Sequence, residues 1–422
     1  MPNEAGDEAG GEVGSVTVPP ELATADLMRL WNILPEARVV GGAVRDHLAG
    51  RPLADIDLAT PRRPDEVTRV LSAAAIRVIP TGIEHGTVTA LVDGHPFEVT
   101  TLRRDVETDG RHAVVAFTDD WRDDAARRDF TFNAMSMDRA GTIHDYFGGR
   151  ADLAAGVVRF VRDAPTRIAE DFLRVPRFFR FFARYGVREP DPTLRAALAA
   201  SADRLGDLSA ERVWSELRRL LSAPADSPAP GPPPAAGGAN AGQEGGPRRP
   251  SLARAVDLMA ELGVLRAIVG VPAVTARFRR LMASGAPADP LLRLAALTDE
   301  PSERLGQRFR LSGRERLILD ALRADLPAAP DPAARIRLWL HRHPDENLFL
   351  LWTWLHDEPE PRRLMLAAPI VPPVFPVQGR DLIPLGWQPG PDLGRALARL
   401  RDCWLAGGCV ATRDELVRLL AG

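Results

Sequence analysis

The sequence predicts an α+β protein, with an N-terminal domain built on a mixed sheet and helices from there to the C-terminus. Three observations carry this prediction. Apolar residues alternate along much of residues 37–150, the period of half-buried strands, broken by one helical pattern over 64–75. From residue 151 the periodicity is almost wholly helical. The 422 residues, 45% of them hydrophobic, suffice for two or more domains with their own cores.

Residues 1–19 are acidic, Gly-rich and poor in large apolar side chains, and are expected to be disordered. Residues 21–34 read as a helix with Leu22, Leu27, Leu30, Trp31 and Leu34 inward. The stretch that follows, 39–60, reads VVGGAVRDHLAGRPLADIDLAT. Val39 and Val40 end a strand, Gly41 and Gly42 make a turn without side chains, and residues 43–48 begin a helix. A phosphate fits against Gly42, because a glycine pair lets backbone approach a ligand and free N–H groups at a helix start attract anions. Arg45, one turn in, would add a charged fork.

After a turn at 50–52, Asp55-Ile56-Asp57-Leu58 reads as a strand whose period of two sets both carboxylates on one face. Two parallel carboxylates repel unless a cation lies between them, and hard oxygen ligands beside a phosphate favour Mg²⁺. A solvated strand edge is the bland alternative, and a D-x-D alone does not separate the two. The glycine pair and Arg45 upstream favour the metal. A third acid stands in the next hairpin, where residues 87–92, the turn Asp93-Gly94 and residues 97–102 place Glu98 among apolar and β-branched neighbours. An acid there is either paired, with Arg103 or Arg104 as partners, or coordinating.

Taken together, GG-x-VRD, D-x-D and E-V-T-T resemble the head of the bacterial CCA-adding tRNA nucleotidyltransferase and poly(A) polymerase family, class II. The likeness runs from about residue 38 to about 221 and more loosely to the C-terminus. It implies a polymerase-β-like nucleotidyltransferase head over 20–150, a helical neck over 151–222, a helical body over 251–330 and a tRNA-binding helical tail over 331–422. Asp55, Asp57 and Glu98 would be catalytic, with Mg²⁺ on Asp55 and Asp57. The implied partners are the tRNA 3′ end, CTP and ATP, with no DNA and no membrane.

The polar stretch 103–118 reads as a turn-rich surface loop; in the resembled family a flexible loop here accompanies the final adenosine addition. Arg127-Arg128-Asp129-Phe130-Thr131 resembles the family's RRDFT, which implies Arg128 on the triphosphate and leaves Arg127 to pair with an acid. Asp145-Tyr146-Phe147-Gly148-Gly149 closes the head, with Tyr146 where the family usually has Pro. Residues 168–182 read as one helix with Asp171, Arg174, Arg177 and Arg180 at steps of three. Asp171 and Arg174 then reach one ligand together, whereas Asp171 and Arg180 lie half a turn apart and cannot both touch one base.

A carboxylate accepts from an exocyclic amino group while a guanidinium donates to the adjacent ring acceptor, so one Asp/Arg pair suits cytosine and adenine and refuses uracil and guanine. On the helix alone, a surface ion pair is the favoured explanation of the spacing. The family's E-D-x-x-R template, matched by Glu170, Asp171 and Arg174, favours base reading, with Arg177 and Arg180 as further nucleotide ligands. Pro176 is expected to kink this helix.

Residues 208–221 form a capped helix, with Ser209 before Glu211 and Arg212, and Val213, Leu217, Leu220 and Leu221 inward as structural support. Residues 223–250, rich in Pro, Gly and Ala, read as a flexible linker. From 251 helices resume, punctuated near 285–287, 326–332 and 359–361. The net charge of −3 announces no nucleic-acid partner, and all 54 basic residues are Arg, so the Arg-rich run 277–316 reads equally as a solvated face or an RNA track. Only Cys403 and Cys409 occur, without metal-ligand spacing. No segment approaches the roughly 18 apolar residues of a membrane span and no secretory signal opens the chain, so a cytoplasmic location is expected. The rival activities are poly(A) polymerase and addition of the terminal A alone. The basic G-[KR]-[KR]-F run typical of the poly(A) branch is replaced by Thr81-Gly82-Ile83-Glu84-His85-Gly86-Thr87.

Overall fold

A computed structural model describes residues 12–15, 18–20, 22–53, 55–108, 113–226, 249–329 and 331–420. Two units are distinguished, residues 1–268 and 269–422. Most of the 223–250 stretch, expected as a linker, lies outside the described residues.

The strands of the first unit are β1 (Glu12–Ser15), β2 (Arg38–Val40), β3 (Asp57–Thr60), β4 (Arg77–Gly82), β5 (Thr87–Val92), β6 (His95–Thr101), β7 (Arg103–Thr108), β8 (Ala113–Phe117), β9 (Ser136–Met137) and β10 (Thr142–Asp145). Eight of them form one mixed sheet in the order β1-β10-β9-β2-β3-β6-β5-β4, while β7 and β8 pair separately. β3 and β6 run parallel, and the remaining pairs are antiparallel. Three expectations are corrected here. Glu12–Ser15, expected disordered, pairs with β10 because backbone hydrogen bonding to an open sheet edge needs no large side chains. β3 begins at Asp57, leaving Asp55 before the strand. The stretch 103–118 is a two-stranded hairpin, its register Arg103↔Phe117 to Thr108↔Ala113, and not a loop throughout. The β5–β6 turn has positive φ at both Asp93 and Gly94, the backbone a two-residue hairpin requires.

Helix α1 (Ala25–Ile33) is capped by Thr24 and buries Leu27, Leu30 and Trp31, with Leu22 and Leu34 buried at its ends. Helix α2 (Gly42–Leu48) follows the diglycine turn, and α3 (Pro64–Ala73) connects β3 to β4. The rest of the unit is helical: α4 (Trp121–Ala126), α5 (Gly149–Ala155), α6 (Ala164–Glu170), α7 (Arg174–Tyr185), α8 (Pro192–Ala200), α9 (Ala210–Leu221), α10 (Leu252–Glu261) and α11 (Val264–Val269). Phe178, Phe179, Phe181 and Phe182 of α7 are buried, and Phe178 and Phe181 pack on Phe130, Phe132 and Phe160 with ring centroids 5.1–6.4 Å apart. This aromatic layer ties the chain after β8 to the helices and fixes α7 beside α2.

The second unit is helical among its described residues. Its α13 (Pro290–Leu297), preceded by α12 (Thr275–Ala283), is buried on all sides, including Arg293. Against it pack α15 (Gly313–Arg323) and α17 (Glu346–Leu355), with α14 (Ser302–Phe309) on α15, and α16 (Pro332–Arg342) and α18 (Pro359–Ala367) on α17. A further cluster, centred on Leu382, Leu400, Trp404 and Leu416, joins α19 (Gly379–Leu382), α20 (Pro391–Ala406) and α21 (Arg413–Arg418). No described helix is long and apolar enough to cross a membrane.

Candidate active site

The diglycine turn sits where β2 meets α2. Gly41 has φ 67° and ψ −117°, a backbone unfavourable for a residue with a side chain. A Cβ added there would lie 3.0 Å from Nη1 of Arg128, so that guanidinium already rests against the turn. Arg128 donates Nη2 to Oδ2 of Asp124 at 3.2 Å, and Arg127 donates Nε to Oδ1 of the same carboxylate at 2.9 Å. Burial alone would raise the Asp124 carboxyl, but Arg128 and Arg127 outweigh it and hold the group below its ordinary range.

Asp57 opens β3, opposite Val40 on one side and in parallel register with Glu98 of β6 on the other. Registered partners on neighbouring strands point to the same face, so these two carboxylates share one side of the sheet. Burial, then Glu98 and Asp55, push the Asp57 carboxyl above its ordinary value, with Arg128 partly opposing them. Asp55 and Glu98 are themselves exposed. Among the described residues no group of three or more His, Cys, Asp or Glu stands close enough to hold a metal ion. The acids therefore sense each other without forming a ready-made cage. An oxygen-only set with mutual repulsion still fits a divalent cation, which commonly takes one or two carboxylates and completes its shell with substrate phosphate and water.

A cleft of about 610 Å³ joins this region to the helices. Gly41, Gly42, Arg45, Asp57 and Arg128 line one part, and Asp171, Arg174, Arg177 and Arg180 line another; Asp55 and Glu98 stand outside the lining. The helical end differs from the expected geometry. Residues 168–182 are not one helix: α6 ends at Glu170, Asp171 is extended at φ −155° and ψ 107°, and α7 starts at Arg174. Oδ1 of Asp171 accepts from the Leu173 amide at 3.0 Å, stabilising the break, and Oδ2 accepts from Nη2 of Arg212 at 2.8 Å. Pro176 falls in the first turn of α7, where a missing N–H costs nothing, so the expected kink is absent. With no common axis, the half-turn separation of Asp171 from Arg180 no longer applies, and both line the same cleft.

Several cationic side chains are already committed. Arg45 donates Nε to the Tyr185 hydroxyl at 2.9 Å and to Oδ1 of Asp46 at 3.2 Å, Nη1 to Oδ1 of Asn133 at 2.7 Å, and Nη2 to Oδ2 of Asp46 at 2.9 Å. The expected free fork is thus a brace beneath the turn that carries positive charge to the cleft wall. Arg177 donates Nε and Nη2 to Oδ2 of Asp129, at 2.8 and 2.5 Å, and Arg180 donates Nε to Oε2 of Glu216 at 2.6 Å. Burial favours the neutral form of Arg177, but Asp129 and Glu216 raise it overall; burial with Arg177 and Arg45 nearby lowers Arg180 despite Glu216. Arg174 donates to the Arg167 carbonyl at 2.6 Å and pairs with Glu170.

Sequence reasoning gave Arg212 and Glu216 of α9 only a supporting place, and gave none to Asn133. One signal was available: Glu216 falls within the buried stripe Val213–Leu217–Leu220, where a charge has to be paired.

Residues 37–159 match the Poly A polymerase head domain. CCA tRNA nucleotidyltransferase 1, mitochondrial, of Danio rerio is 36% identical over 405 residues, spanning 92% of this chain and 87% of its own. The CCA-adding enzyme of Geobacillus thermodenitrificans is 41% identical over 191 residues, 45% of this chain and 46% of its own. The crystal structure of the Bacillus stearothermophilus CCA-adding enzyme in complex with CTP has a TM-score of 0.71 at 27% identity, covering 96% of this chain and 98% of that one. These sequence relatives do not carry the bacterial label of the resemblance: the one spanning most of the chain is a vertebrate mitochondrial enzyme, and the bacterial one spans under half. Sheet, cleft and likeness agree that this chain belongs to the CCA tRNA nucleotidyltransferase family.

Proposed function

We infer that the protein adds C, C and A in turn to the 3′ end of tRNA, taking CMP from CTP and AMP from ATP and releasing pyrophosphate. The observation that carries this reading is the single cleft in which a diglycine turn, Asp57 and Arg128 face Asp171 and Arg174. Backbone N–H groups at Gly42 and the Nη1 of Arg128 bind the triphosphate. Asp171 and Arg174 read the amino group and ring acceptor shared by cytosine and adenine, while Arg177 and Arg180 keep the cleft cationic beside them. Asp55 and Asp57 would hold the divalent cation, which we take to be Mg²⁺; when bound it neutralises phosphate charge and acidifies the attacking hydroxyl. Glu98, on the same face as Asp57, is the third acid and restrains where the other two carboxylates settle.

Residues 331–422 are our choice for the tRNA-binding tail. We place the protein in the bacterial branch and in the cytoplasm; both cysteines are unpaired, which suits a reducing compartment. The deciding experiment incubates the protein with tRNA ending before CCA, after C and after CC, with each nucleoside triphosphate separately. One C, a second C and then one A are expected. Long A tails on unrelated RNA would replace this reading with poly(A) synthesis, and activity on the CC-ended tRNA alone would reduce it to terminal A addition.

A further inference from the structure

Asp124 is 3% exposed and takes no direct part in the chemistry proposed above. Its two oxygens collect donors from three places. Oδ2 takes Nη2 of Arg128 at 3.2 Å; Oδ1 takes Nε of Arg127 at 2.9 Å and the backbone amide of Arg103 at 3.3 Å. Arg103 is the first residue of β7, so the root of the β7–β8 hairpin closes on the same carboxylate as the two arginines. That root is fixed on its other strand, where Phe117 lies so near Gly86 that an added Cβ would meet its ring at 2.6 Å, and Arg63 covers the ring at 4.7 Å.

The division of labour at Arg128 follows from these contacts. One amino group is spent on Asp124, while the other rests against Gly41 at the mouth of α2. A long side chain held at one end loses most of its rotamer freedom before a ligand arrives. We propose that Asp124 is a positioning residue: it anchors Nη2 of Arg128, and through it aims Nη1 at the triphosphate, using the hairpin root as a fixed point. This rests on the triphosphate reading of the cleft. Asp124 touches neither nucleotide nor metal in this scheme, and acts only through Arg128.

The test uses the full chain and inorganic tripolyphosphate, a probe without a base, beside CTP and ATP, with binding read by calorimetry. Asp124→Asn should weaken all three ligands by a similar factor, about tenfold or more, because the charge-assisted anchor of Arg128 is lost. Asp124→Glu should recover most of the affinity. In an Arg128→Met background the Asn change should cost little further, since there is no guanidinium left to aim. Equal losses in both backgrounds, or a loss confined to CTP and ATP, would overturn the proposal while leaving the site reading intact. Failure of the unaltered protein to bind any of the three would remove the site reading as well. Should Asp124→Asn not fold, the unaltered protein still decides: with ¹⁵N-arginine labelling, and Arg128 identified by its loss in Arg128→Lys, tripolyphosphate should shift one Nη signal and leave the other in place. Movement of both, or of neither, sinks the idea.

Discussion

Replacing Glu216 by Gln removes one negative charge from the place where three guanidinium groups meet. The carboxylate side chain is 5% exposed; Oε2 accepts from Arg180 at 2.6 Å, and Oε1 lies 3.4 Å from Arg177 and 3.6 Å from Arg219. The three arginines are not equally dependent on it. Arg219 is 64% exposed and exposed ion pairs contribute little, while Arg177 retains Asp129. Arg180, 18% exposed, has no other acidic partner among the described residues, so the loss falls mainly there. Breaking a buried pair from one side costs about 3–5 kcal/mol, and an amide that still accepts one hydrogen bond brings this to about 2–3 kcal/mol. For a unit of this size that corresponds to a fall in melting temperature of roughly 4–12 °C. Thermal unfolding followed by circular dichroism, combined with Arg180→Met in a double-mutant cycle, measures it. The double variant should lose about as much as either single one. Strict additivity, or a loss below about 0.5 kcal/mol for Glu216→Gln, would refute the assignment of Glu216 as the counter-charge of Arg180.

Three further outcomes follow from the same geometry. The Asp57 carboxyl is raised in the folded protein by burial, Glu98 and Asp55, so the stability it contributes is present at low pH and lost as pH rises through the raised value. Metal-free Asp57→Asn should therefore melt above the unaltered protein at pH 7–8 and equal to it in acid, while losing nucleotide transfer; lower stability at pH 7–8 would contradict the proposed repulsion. Asp171→Ala should narrow the preference for CTP and ATP over UTP and GTP by about tenfold or more, read as ratios of kcat/KM, with metal affinity unchanged. An unaltered preference would remove Asp171 from base reading. Gly41→Ala meets both a positive φ and the Arg128 guanidinium at 3.0 Å, and should cost about 1 kcal/mol in denaturant unfolding and raise KM for both nucleotides. Unchanged KM would detach Arg128 and the turn from the triphosphate.

Much of the N-terminal sheet was legible because its signals are local. The inward faces of the first helix and of α9, the turn at Asp93-Gly94 and the strand-turn-helix around Gly41 each follow from period or backbone preference within a few residues. Where sequence reasoning failed, a second segment decided the outcome. The stretch 168–182 has strong helical periodicity, yet a carboxylate that caps the Leu173 amide and is held by Arg212, 41 residues away, splits it into two helices. Arg45 reads as a free fork until Asp46, Tyr185 and Asn133 close around it.

Residue order alone settled which side chains are available: the glycine pair, the acids, and the Asp and Arg residues before and within α7, since each follows from local spacing. Which of those charges stay open to a ligand and which are consumed as braces was decided by folding. Desolvation makes every buried charge find a partner, and the nearest partner in space is often remote along the chain.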